Sequence, residues 1–148
     1  MDIPVPSILS KAKSSMVVLK PFPHVIIDNF LDKNDFKILS ESVLKFSSKP
    51  DHEFQDSIER GKAIYSNKNS PELVQRFVNT VSSDKFMEKL TDLTDVKEMI
   101  SLTNLRDKHD TFRYFHEMKD GGMLGTHVDH SMIGDHIHFL NSLFYISP

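Results

Sequence analysis

The spacing of apolar residues changes character partway along this chain, and that change limits the folds open to it. From Asp32 to Leu93 the apolar positions recur every three or four residues. From Thr111 onward they recur every second residue. The first spacing buries one face of a helix and the second one face of a strand. Helical segments followed by strands predict an α+β domain, with a helical layer supporting a sheet. At 148 residues the chain is long enough for one domain with one sizeable core.

Local signals place the elements. Pro4 and Pro6 mark residues 1–20 as an N-terminal arm, and Pro21 and Pro23 lead into a strand at His24–Asp28. Asp32 reads as a helix N-cap. Leu31 is placed to staple onto Phe36, and Phe36, Leu39, Val43 and Phe46 form one stripe. Residues 49–60 are polar and read as a loop, with a short strand at Gly61–Tyr65. Ser70-Pro71-Glu72 predicts a second helix start, with Ser70 as cap and Pro71 at the first helical position. Phe86, Leu90 and Leu93 mark a third helix, and residues 95–110 read as a final helix breaking into a loop. Strands are expected at Phe112–Met118 and Met123–Asp129, joined by a turn at Lys119-Asp120-Gly121-Gly122, with Gly125 allowing neighbours close. A core strand is expected at His138–Ile146.

Composition removes several chemistries. There is no cysteine, so any metal must rest on His, Asp, Glu or backbone oxygen. The formal net charge is -3, which gives no reason to expect a nucleic-acid partner. No segment reaches the roughly 20 apolar residues of a membrane span. The default expectation is a cytoplasmic protein without a membrane partner.

His127 and Asp129 stand two apart after the glycine-rich stretch. On a strand they face the same way, and an imidazole with a carboxylate supplies two members of a 2-His-1-carboxylate iron site. A surface histidine near an aspartate is the plain alternative. Around this pair, PFPHVIIDNFL, YFHEMKDGGMLGTHVDH and LNSLFYISP occur in order. Together these segments resemble the 2-oxoglutarate/Fe(II) dioxygenases of the prolyl 4-hydroxylase type, over about residues 21–148.

The resemblance implies a double-stranded β-helix of jelly-roll or cupin-like form, packed on N-terminal helices. Helical support would occupy about residues 31–110 and the start of the barrel about 111–148. It implies His127 and Asp129 as metal ligands, with Tyr145 and Tyr114 near the co-substrate. Fe(II), 2-oxoglutarate and O2, with ascorbate as a possible addition, would hydroxylate a C–H bond of a protein, peptide or small molecule. Such a family also needs a distal histidine and a cationic anchor for 2-oxoglutarate. Neither has a counterpart here, so the chain reads as the front portion of a longer domain, inactive alone. His136 and His138 are the local substitutes for the missing histidine. Two other readings stay open: a non-catalytic barrel-like binding module or degenerate homologue, and a cupin-like metal protein that does not use 2-oxoglutarate. An unfinished sheet would also expose the apolar run Phe139–Ile146 and invite self-association.

Overall fold

The computed structural model describes residues 17–101, 115–127, 132–133, 135–137 and 139–146. Chain order is α1 (Lys33–Leu44), β1 (His52–Gln55), β2 (Glu59–Tyr65), a 3-10 turn (Asn67–Asn69), α2 (Glu72–Val81), α3 (Asp84–Thr94), β3 (Phe115–Leu124) and a short pair, β4 (Met132–Ile133) and β5 (His136–Ile137).

The helices begin where short-range chemistry starts them. Asp32 Oδ1 accepts from the backbone N–H of Asn34 at 2.9 Å and of Asp35 at 2.8 Å, which satisfies two otherwise orphaned donors of α1. Ser83 caps α3 by accepting from Phe86 N at 3.3 Å. The start of α2 differs from expectation. Pro71 itself is the cap residue and makes no side-chain cap bond. The Ser70 hydroxyl instead donates to the Ser66 carbonyl at 2.8 Å, closing the preceding 3-10 turn.

The helical stripes meet in one core. Leu31, Leu39, Val74 and Phe77 form its centre, and Phe36, Val43, Leu73 and Val78 pack around them. Phe86 and Leu90 of α3 build a neighbouring cluster, linked to the first through Phe30 and Val81. Phe30 packs edge-on to Phe77, with ring centroids 6.4 Å apart.

The sheet departs most from expectation. Its order is β1-β2-β3, antiparallel throughout. β1 arises from the polar stretch expected to be a loop. The β1–β2 turn is held by Asp56, whose Oδ1 accepts from Ile58 N at 2.8 Å and Glu59 N at 2.7 Å. These two N–H donors, Glu59 foremost, hold the Asp56 carboxyl below its usual pKa. Two strands therefore stand between α1 and α2, so helices do not simply precede strands.

β3 is a single strand where two were expected. Lys119–Gly122 is no reversal but an irregularity opposite Gly61: Arg60 pairs with Met123, yet Lys62 pairs with Met118. Gly61 (φ +70°) and Gly121 (φ +71°) accept the left-handed backbone this demands. A Cβ on Gly61 would stand 3.1 Å from the Gly122 Cα, so the two backbones meet only because that side chain is missing.

The double-stranded β-helix expectation is corrected. Among the described residues the sheet has three strands, lies open and neither curls nor closes, and the other ladder joins only β4 and β5. A jelly roll needs two facing sheets, and no second sheet of that size is present among these residues. What stands is an α+β domain with three helices and an open sheet. The strand expected at His24–Asp28 is reduced to one bridge, Val18 with His24.

Candidate functional site

The sheet has two unlike faces. Residues in register on neighbouring antiparallel strands project to the same side. Glu53, Ala63 and Glu117 form one row, with Tyr65 opposite Phe115 in the next. This side turns inward. Ala63 and Tyr65 are buried, and Phe46, just beyond α1, packs edge-on to Tyr65 at 5.2 Å and to Phe115 at 6.3 Å. The Tyr65 hydroxyl donates to Glu117 Oε2 at 2.8 Å. Burial, with help from that acceptor, pushes the Tyr65 phenol up to about 12.

The other face carries the rows His52, Ile64, His116 and Phe54, Lys62, Met118. Lys62 Nζ pairs with Glu59 Oε1 at 2.7 Å and lies 5.0 Å from the Phe54 ring centroid. Desolvation, then the Lys62 charge, pulls the His116 imidazole below its usual pKa. Each polar group on this face already has a neighbour that accounts for it, so the face reads as a finished surface.

The residues expected to hold iron stand as follows. Gly125 N donates to the Ile58 carbonyl at 2.6 Å, which ties the end of β3 to the β1–β2 turn. His127 follows, exposed, with Nδ1 bonded to the Gly125 carbonyl at 2.9 Å. Asp129 and Tyr114 lie outside the described residues, as does His138. His136 is exposed on β5, and Tyr145 lies in the C-terminal segment.

Among the described residues, no group of three or more His, Asp or Glu is placed to hold a metal ion. The expectations of Fe(II), of 2-oxoglutarate with O2 and ascorbate, and of a dioxygenase or hydroxylase, full length or truncated, are corrected on that ground. The physical reason lies in the sheet. Iron needs ligands from strands brought face to face, and an open sheet does not bring them together. The likeness to prolyl 4-hydroxylase-type enzymes was carried by short segments, and the architecture built from them is different.

The segment at residues 139–146 is the least ordinary surface of the molecule. It is extended but belongs to no strand ladder of the described residues. Its side chains alternate. Phe144 lies 5.0 Å from Phe77 and 5.1 Å from Phe30, centroid to centroid, and Ile146 packs on the same core. The intervening residues point away. Phe139 is 59% exposed, Leu143 70% and Tyr145 83%. Pattern reading named this run as a core strand and Tyr145 as a site residue. It missed that only one side would be covered, because the apolar row on the other side looks the same in sequence.

Among the described residues no helix is long and apolar enough to cross a membrane. No protein-family model matches this chain, and no curated protein or solved structure matches it either.

Proposed function

We propose that this chain is a non-catalytic interaction module, with the outward row of residues 139–146 as its working surface. The observation that carries this is the two-sided character of that segment. Phe144 and Ile146 seat it on the helical core, while Phe139, Leu143 and Tyr145 stand exposed beside one another. Clustered large apolar side chains on a fixed base are a mark of protein contact surfaces. Tyrosine and phenylalanine also provide much contact area for little lost rotamer freedom.

The partner chemistry follows from the row itself. Residues 139–146 include no Asp, Glu, Lys or Arg. Recognition therefore rests on apolar burial and on strand addition to an extended backbone, which suits an extended apolar segment of a protein. An acidic or basic ligand would find no counter-charge in the row.

The test is binding of the apolar dye ANS to the wild-type chain and to the double variant Leu143→Lys/Tyr145→Lys. The double variant should lose most of the dye emission and keep its helical circular dichroism. Equal emission from both proteins would remove this row as the adhesive surface.

A further inference from the structure

We infer that the partner strand on this row is supplied by a second copy of the same chain, paired antiparallel about a two-fold axis at Ser142. The inference rests on the reading of residues 139–146 as the working surface and names its occupant.

The run is self-complementary. With Ser142 opposite itself, Phe139 faces Tyr145 of the second copy, Leu140 faces Phe144, and Asn141 faces Leu143. Odd residues thus meet odd residues, and the exposed row of one copy extends the exposed row of the other. The even residues Phe144 and Ile146 stay on their own helical cores. The two-fold forms the Phe139–Tyr145 pair twice, and aromatic cross-strand pairs are among the stabilising ones. Asn141 opposite Leu143 is the least favourable match.

Charge places no obstacle in the way. Natural sheet edges are guarded by lysine, proline or inward-pointing charge. Residues 139–146 hold none of these, so two copies bring no like charges together. The interface is small. Phe139, Leu140, Leu143 and Tyr145 from each copy would remove roughly 800 Å² of apolar surface, about half of a standard interface. A weak dimer in the micromolar range is therefore the expectation, not a permanent one.

The chain has no cysteine, so a single introduced thiol reports on its own geometry. Ser142 is exposed, and Ser142→Cys sits on the proposed axis. Under mild oxidation it should form a reducible covalent dimer, because directly opposed strand positions fall within disulfide range. Leu143→Cys should link poorly, since its own counterpart is a diagonal neighbour about 7–8 Å away. A mixture of Phe139→Cys and Tyr145→Cys chains should yield the mixed dimer. Sedimentation equilibrium of the wild type should show a dimer fraction that grows with concentration and disappears in Leu143→Lys/Tyr145→Lys. A wild type that stays monomeric at high concentration overturns the second copy as occupant. If the dye result above still holds in that case, the surface stands and its partner is another protein. A dimer in which Leu143→Cys links as readily as Ser142→Cys overturns the register.

Discussion

Leu39 and Leu143 make an instructive pair. Both are leucines in apolar stretches, and both lie where periodicity asks for burial. Leu39 is 0% exposed and Leu143 is 70% exposed. The difference is not in the residue or its local pattern. α1 presents its stripe to α2, and the two stripes close on each other around Leu39, Val74 and Phe77. Residues 139–146 have such a partner on one side only. Apolar periodicity states a demand for burial, and a second element decides whether the demand is met.

The sharpest way to break this comparison is to truncate both leucines. Leu39→Ala should cost about 3 kcal/mol, as fully buried leucines do when a cavity is left behind. Leu143→Ala should stay within about 0.5 kcal/mol in dilute solution. Urea denaturation at low protein concentration measures both. An equal loss at Leu143 would mean that its side chain is covered.

A smaller effect sharpens the comparison inside the segment. Phe144→Ala should cost about 2 kcal/mol, less than a fully buried phenylalanine because its ring is only partly covered. Tyr145→Ala, next to it, should leave the same transition almost unmoved. Similar losses at the two positions would contradict the alternation on which the working surface depends.

The smallest effects are those of pH, and they separate the two faces of the sheet. Tyr65, on the inner face, titrates near 12 in the folded chain, against 10.0 for the model phenol. Its folded value is raised, so its contribution is complete below pH 10 and is lost as pH rises toward 12. Tyr65→Phe should flatten that alkaline loss. His116, on the outer face, is lowered from 6.5, so the unfolded chain takes up the proton first. Its contribution is complete above about pH 6.5 and is lost as pH falls through its folded value. His116→Gln should weaken the acid dependence over that window. An unchanged acid limb would show that the imidazole is no less hydrated in the folded state than in the unfolded one.

Much of the helical layer was legible because its signals are local. The Asp32 cap, the Leu31–Phe36 staple and the Ser83–Phe86 bond lie within a few residues of each other, and sequence distance is then a fair measure of spatial distance. The sheet was far less legible. β1 contains one apolar residue, Phe54, and becomes a strand because β2 is there to bond with it. The glycines at 121 and 122 read as a chain reversal, yet opposite Gly61 they make an irregularity inside a continuing strand. The candidate site was half legible. The apolar run and Tyr145 could be named in advance. The side left uncovered could not, and the iron pair His127 and Asp129 led toward a barrel that the strands do not build.

The sequence by itself determined an α+β chain, the start of α1 and α3, the apolar stripes of all three helices and a charge-free apolar run near the C-terminus. These follow from short-range hydrogen bonding and from side-chain periodicity, which need no distant partner. Only the tertiary structure decided that β1, β2 and β3 form an open sheet, that Gly61 and Gly122 meet, and that Phe144 is covered while Leu143 is not. Each of those outcomes depends on which distant segment arrives alongside, and backbone pairing between such segments is written in no single stretch of residues.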